Sequence, residues 1–173
     1  MSENFYWLLQ QSLRGHEDNV CLNIPGGCQW RYGEIDELSS RIAEVLRQAG
    51  VGVGDRLLVQ VDKSAQAVGL YLAVLRMGAV YVPINTAYTD AEVDYFLEDA
   101  QPAVFVCSPA CGARRPELNS QTRVLTLGSD GAGSLLENVA DQRADGEIAA
   151  RATADLAAIL YTSGTTGLSK GAM

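Results

Sequence analysis

Short apolar runs alternate with longer stretches of helical periodicity along most of this chain. The strand-like runs are RLLVQV (56–61), AVYVPI (79–84), AVFVC (103–107) and RVLTL (123–127). Helical patterns separate the first three runs, so these strands cannot be joined to one another by tight hairpins. This order predicts an α/β fold in which a mostly parallel sheet is flanked by helices.

The helical stretches carry recognisable start and stop signals. One helical face is formed by apolar residues at Ile35, Leu38, Ile42, Val45, Leu46 and Ala49. Gly50 is expected to end that helix. The segment 64–78 is apolar on most sides, which predicts a buried helix. Thr89 and Glu92 have the spacing of a capping box at the start of a third helix, and Pro102 is expected to end it.

The two ends of the chain depart from this alternation. An amphipathic segment, Phe5–Leu13, precedes two runs around a Pro-Gly-Gly turn, VCLNI (20–24) and QWRY (29–32), which predict a small hairpin. Residues 128–153 are polar and mixed, and we expect a surface excursion with one short helix over SLLENVA (134–140). DLAAILY (155–161) then predicts a buried strand.

Composition excludes several classes of function. The chain has 173 residues, 47% of them hydrophobic and 20% charged, which suits one globular domain or most of one. Its net charge of -8 disfavours a nucleic-acid partner, because affinity for nucleic-acid phosphates comes mainly from clustered Lys and Arg. The start of the chain lacks a signal-peptide pattern, and no long apolar run occurs, so we expect a cytoplasmic protein without a membrane segment.

The four cysteines could form disulfides, a metal site, or unpaired thiols in the core or in loops. Disulfides are disfavoured in a chain without a secretory signal. The cysteines are Cys21, Cys28, Cys107 and Cys111. A zinc site would need more closely spaced pairs, and the single histidine, His16, is remote in sequence and expected at the surface. We therefore favour small core or loop thiols over a metal site.

A glycine-rich stretch at GVGVGD (50–55) is a first candidate for phosphate binding. The dinucleotide fingerprint needs a strand before its glycines and a helix after them, whereas here a helix precedes and a strand follows. Asp55 also occupies the place of the third glycine. The stretch is therefore predicted to be a helix C-cap and turn.

A second candidate, YTSGTTGLSKG (161–171), combines glycines, hydroxyls and a lysine directly after a predicted strand. Glycines let backbone N–H groups converge on an anion, hydroxyls add donors, and lysine adds a mobile positive charge. The candidate phosphate-binding residues are Thr162, Ser163, Gly164, Thr165, Thr166, Gly167 and Lys170. This is not a Walker A loop, because Lys170 lies between Ser169 and Gly171. An ordinary flexible Ser/Gly loop is the alternative.

In this order of residues, TSGTTG-L-SKG resembles the phosphate-loop signature of the adenylate-forming superfamily, which includes acyl-CoA synthetases, luciferases and the adenylation domains of peptide synthetases. The resemblance extends back through WRYGEIDELSSRIAEVLRQAGVGVGDRLLVQ (30–60) and LAVLRMGAVYVPINTAYTDAEVDYFLEDAQP (72–102). Ser169 stands where most members have Pro, and Asn85-Thr86 where many have Asn-Pro. With these two departures the sequence is most similar to the malonyl-CoA synthetase group.

This resemblance implies a two-step ligase. ATP and a carboxylate, with malonate favoured, would form an acyl-adenylate and pyrophosphate, and coenzyme A would then displace AMP to form a thioester. Residues 162–167 would grip the β- and γ-phosphates of ATP, while Lys170 and Mg²⁺ would neutralise their charge.

The resemblance also implies that residues 1–173 are an incomplete N-terminal AMP-binding domain, truncated at the phosphate loop, with the C-terminal domain absent. The family's adenine pocket, magnesium-binding glutamate, acid pocket and adenylation lysine all follow this loop. We therefore expect no complete catalytic set and no metal site here, and a chain that is inactive by itself and prone to self-association. Two alternatives stay open: an amino-acid-activating adenylation domain, and a non-catalytic phosphate-binding or interaction module.

Overall fold

The computed structural model describes residues 3–115, 118, 122–137, 139–162 and 170–173. Its helices are α1 (Phe5–Leu13), α2 (Tyr32–Gln48), α3 (Ala65–Arg76), α4 (Asp90–Ala100) and α5 (Pro109–Ala113), with a 3₁₀-helix over Val139–Asp141. Its strands are β1 (Val20–Asn23), β2 (Gln29–Arg31), β3 (Arg56–Gln60), β4 (Val80–Pro83), β5 (Val104–Cys107), β6 (Arg123–Thr126), β7 (Leu160–Thr162) and β8 (Lys170–Ala172).

A four-stranded parallel sheet with the order β4-β3-β5-β6 forms the centre of the structure. Leu57 of β3 pairs with Tyr81 on one side and with Val104 on the other. Helices α3, α4 and α5 make the three successive connections between these strands. The predicted α/β fold with a parallel sheet flanked by helices is therefore confirmed, and so is the hairpin of β1 and β2.

The central strands send alternate side chains into two apolar layers. Leu57 and Val59 of β3 pack with buried residues of α2 and α3, such as Leu46 and Leu70. Leu58, between them, packs on the opposite face with Phe96 of α4. This alternation follows from the two-residue period of a strand, and it places the sheet between two helical layers.

Local capping signals produce the helix ends that the sequence predicts. Gly50 has a φ of 93°, and the N–H groups of Gly50 and Val51 donate to Arg47 and Leu46 in a Schellman arrangement, at 2.9 and 3.0 Å. At the start of α4, the Thr89 N–H donates to the carboxylate of Glu92 at 2.8 Å, and the Thr89 hydroxyl accepts from the Glu92 N–H. The predicted turn and the predicted capping box are both confirmed.

The segment 128–153 differs from its prediction. In place of a helix over SLLENVA, residues 134–137 form turns and Val139–Asp141 form a 3₁₀-helix. Leu135 is fully buried, with 0% of its surface exposed, and packs in the layer of α2 and α3. Its N–H donates to the Thr126 carbonyl at 3.1 Å, so the chain after β6 turns back onto the core. The prediction of a surface excursion was therefore wrong for this part of the segment.

The predicted buried strand DLAAILY is also only partly correct. Ala158 makes a single parallel bridge to Tyr81 of β4, and regular strand structure begins at Leu160. Leu156 and Leu160 are 37% and 54% exposed, so the segment is an edge rather than a central strand. Helix α5, which the sequence pattern did not indicate, begins where the Ser108 hydroxyl accepts from the Cys111 N–H.

Candidate phosphate-binding site

The candidate loop joins β7 and β8, which form an antiparallel pair. Tyr161 pairs with Gly171, and Thr162 pairs with Lys170. Of the predicted site residues, Thr162 and Lys170 are described by the structure and lie opposite one another at the base of the loop. The other predicted members lie outside the described residues; they are Ser163, Gly164, Thr165, Thr166 and Gly167.

A short segment before β7 determines where this loop leaves the sheet. The Tyr81 N–H donates to the Ala157 carbonyl, and the Ile159 N–H donates to the Tyr81 carbonyl, both at 3.0 Å. Residues 157–159 therefore run parallel to β4, and the chain after them leaves at the carboxyl edge, where β4 ends at Pro83. Ligands of open α/β sheets bind outside the carboxyl ends of the strands, so this position suits a binding loop.

Tyr161 fastens the β7-β8 hairpin to α4. Its ring lies 4.6 Å from the ring of Phe96, centroid to centroid. Its hydroxyl donates to the Asp99 carboxylate at 2.5 Å. Burial, and then the hydrogen bond to Asp99, raise the pKa of Tyr161 above its ordinary value, so the hydroxyl stays protonated and remains a donor at neutral pH.

Strand β8 lies close to Ile159, in the segment before β7. A Cβ atom on Gly171 would lie 2.9 Å from Cγ2 of Ile159, so this position has room only for glycine unless the strand shifts. Lys170, next to it, is exposed and makes no ion pair within the part of the chain that the structure describes. Its ammonium group is therefore available to an anionic ligand.

A polar link at the same edge of the sheet was not anticipated from the sequence. The side chain of Gln60, buried at the end of β3, donates through Nε2 to the Asn85 carbonyl at 3.0 Å. The Asn85 side chain in turn accepts from the Ala87 N–H at 2.9 Å. These bonds hold the turn after β4, but Gln60 and Asn85 are 25 residues apart and no local pattern connects them.

The described residues contain no group of three or more His, Cys, Asp or Glu side chains that could hold a metal ion. Cys107 and Cys111 are buried in the layer beneath α4, and burial raises the pKa of the Cys107 thiol, which keeps it uncharged. Nor does any helix among the described residues have the length and hydropathy that a bilayer crossing requires.

A parallel α/β sheet with a hydroxyl-rich and glycine-rich segment at its carboxyl edge is an arrangement found in proteins that bind phosphorylated ligands. The family model for AMP-binding enzymes matches residues 9–173. The chain therefore belongs to the AMP-binding enzyme family, and its resemblance to the adenylate-forming superfamily is confirmed.

Similar proteins include both a synthase subunit and a fatty-acid–CoA ligase. Surfactin synthase subunit 2 from Bacillus subtilis (strain 168) is 30% identical over 167 residues, which is 96% of this chain and 4% of that protein. Medium-chain fatty-acid–CoA ligase from Escherichia coli (strain K12) is 30% identical over 181 residues, which is 97% of this chain and 32% of that protein.

Solved structures reproduce the fold over the whole chain. Apo MatB from Rhodopseudomonas palustris superimposes with a TM-score of 0.92 and is 41% identical, over 100% of this chain and 34% of that chain. ATP-bound MatB from the same organism also has a TM-score of 0.92, with 42% identity. The fold is thus that of the N-terminal part of adenylate-forming enzymes, and the chain spans about a third of the length of MatB.

Proposed function

We propose that this chain is the N-terminal part of an ATP-dependent acid–thiol ligase of the cytoplasm. The enzyme activates a small carboxylate, with malonate favoured, as an acyl-adenylate and transfers the acyl group to coenzyme A. The observation that carries this proposal is the hairpin at the carboxyl edge, where Thr162 and Lys170 flank a loop of hydroxyls and glycines.

The chemistry of this loop suits the charge that develops during adenylation. When a carboxylate oxygen attacks the α-phosphorus of ATP, the bond to the β-phosphate breaks and negative charge builds on the departing pyrophosphate. Hydroxyl and backbone N–H donors of 162–167 would hold those oxygens, and the Lys170 ammonium would neutralise part of their charge. The loop contains no Asp or Glu between Tyr161 and Gly171, so the loop itself brings no negative charge to the ligand.

Magnesium accompanies ATP in the proposed reaction, but the described residues offer no set of ligands for it. We therefore assign no step to the metal in this part of the protein. The contribution of the described residues is to bind and orient the phosphates.

The choice of malonate is supported by the likeness to MatB, a malonyl-CoA synthetase, at 41% identity. Ser169 and Asn85-Thr86 point to the same group of enzymes. A second candidate is an amino-acid-activating domain, which the likeness to surfactin synthase subunit 2 favours. Both candidates share the adenylation step and differ in the acid and in the thiol that accepts it.

ATP–pyrophosphate exchange by the complete protein tests the proposal. Exchange should depend on malonate, and Lys170→Ala combined with Thr165→Ala should lower kcat/KM for ATP at least tenfold, or about 1.4 kcal/mol of transition-state stabilisation. Lys63→Ala, the same change at the other lysine of the sequence, is the matched control and should leave exchange unchanged.

Unchanged exchange in the double variant would remove the phosphate-binding role. Exchange with amino acids but not with malonate would select the second candidate. Thioester formation from long-chain fatty acids in preference to malonate would refute the choice of acid.

A further inference from the structure

We propose that Tyr161 is the positioning residue of the phosphate-binding loop and that it acts through Asp99 of α4. This inference rests on the proposed function and adds to it the element that orients the loop. Tyr161 itself is not expected to touch ATP.

Tyr161 lies where it can control both ends of the loop. It directly precedes Thr162, and its strand partner Gly171 directly follows Lys170. The Tyr161–Gly171 pair is therefore the rung below the Thr162–Lys170 pair. A rotation or shift of Tyr161 moves both residues from which the loop departs.

Two contacts hold Tyr161 in one orientation. Its ring packs on Phe96, and its hydroxyl donates to Asp99 at 2.5 Å. The half-buried ring thus packs against α4 from the strand pair that carries the loop. The hydroxyl bond adds a direction that ring packing alone does not determine.

The support behind Tyr161 is itself well fixed. Phe96 is buried and also packs against the rings of Tyr88 and Tyr95, with centroid distances of 5.0 and 5.5 Å. Helix α4 starts from a complete capping box at Thr89. A binding loop needs such a rigid support, because donors that are misplaced by about 1 Å lose much of their effect on the transition state.

The location of Asp99 indicates that the bond serves more than packing. Asp99 lies in the last turn of α4, where a carboxylate is opposed by the negative end of the helix dipole. A phenylalanine at 161 and a neutral residue at 99 would fill the same space without that cost. Within the part of the chain that the structure describes, the hydrogen bond from the Tyr161 hydroxyl offsets that cost.

The experiment compares variants of the complete protein in ATP–pyrophosphate exchange. Tyr161→Phe removes the hydroxyl and keeps the ring, and it should lower kcat/KM for ATP about tenfold while changing KM for the carboxylate less than about twofold. Asp99→Ala should have the same effect, and Tyr161→Phe with Asp99→Ala should add no further loss, because both remove one bond. Asp99→Asn, which keeps an oxygen acceptor, should retain most activity.

Tyr88→Phe is the matched control. Tyr88 also packs on Phe96, and its hydroxyl makes no hydrogen bond among the described residues, so kcat/KM for ATP should be unchanged. The melting temperature of each variant is measured alongside, and it should stay close to that of the original protein for Tyr161→Phe.

Two results would overturn the inference. The first is a kcat/KM for ATP that stays within twofold of the original value in Tyr161→Phe or in Asp99→Ala, while the Lys170 and Thr165 double variant loses exchange. The proposed function would then stand without this positioning residue. The other is an equal loss for ATP and for the carboxylate with a lowered melting temperature, which would indicate packing alone. Unchanged exchange in the double variant would instead count against the proposed function itself.

Discussion

At the scale of single residues, Arg76 is the most unusual member of the core, because a charged side chain is completely buried there. Its side chain is 0% exposed, and Nη2 donates to the Tyr6 hydroxyl and to an Asp36 carboxylate oxygen, both at 2.6 Å. The guanidinium also lies over the ring of Tyr6, 4.4 Å from its centroid. Burial is the main cause that raises the pKa of Tyr6 to about 12, so this hydroxyl stays protonated. One buried cation thus links α1, α2 and α3.

Loss of the Asp36 carboxylate should lower the free energy of unfolding more than loss of the Arg76 guanidinium. Asp36→Ala leaves the buried Arg76 without its carboxylate partner and should lower the free energy of unfolding by about 2 kcal/mol. This loss is smaller than for a fully buried pair, because Asp36 is half-exposed and water can approach Arg76 once the carboxylate is gone. Arg76→Met removes the buried charge and leaves Asp36, which is half-exposed and can be hydrated, so it should cost only about 1 kcal/mol. Urea unfolding of the complete protein measures both.

Glu37→Ala is the control on the same helix. Glu37 pairs with Arg41 at the surface, and its loss should change the free energy of unfolding by less than about 0.5 kcal/mol. A larger loss of stability in Arg76→Met than in Asp36→Ala would show that the charge itself stabilises the core.

At the scale of elements, the segment after β6 is part of the core despite its polar composition. Leu135 fills the layer beneath α2 and α3, so Leu135→Ala should lower the free energy of unfolding by about 3 kcal/mol. Leu8→Ala in α1 is the matched control, since Leu8 is 48% exposed, and it should cost less than about 1 kcal/mol. Thermal or urea unfolding distinguishes the two, and equal effects would place Leu135 outside the cooperative core.

At the scale of the whole molecule, the 173-residue chain is expected to do no adenylation by itself. In the proposed function the loop would hold the phosphates from one side only, and this alone would not orient the α-phosphorus for in-line attack. Leu156 and Leu160 are also exposed beside the hairpin, so we expect the isolated chain to associate. Size-exclusion chromatography and malonate-dependent AMP release, with and without the C-terminal part supplied in trans, measure both.

Robust turnover by residues 1–173 alone would contradict this expectation. A monodisperse chain that binds ATP without turnover would favour a non-catalytic phosphate-binding module instead. Recovery of AMP release when the C-terminal part is added would support the ligase.

Features encoded by near neighbours were predictable from the sequence. The Thr89–Glu92 capping box, the C-cap at Gly50 and the strand-helix alternation depend on contacts within a few residues or on periodicity, and all three are confirmed. The family was also predictable, because the order of glycines, hydroxyls and lysine in 162–170 resembles the phosphate-loop signature of that superfamily, and the family model matches residues 9–173.

Features that join distant residues were decided only by the tertiary structure. Leu135 is buried because the chain after β6 folds back against the layer of α2 and α3, and the polar residues around it in the sequence give no signal of that burial. Tyr161 and Asp99 are 62 residues apart and meet only because residues 157–159 pair with β4. Sequence patterns record propensity and burial along one element, whereas the partner of a side chain depends on how the elements are arranged in space.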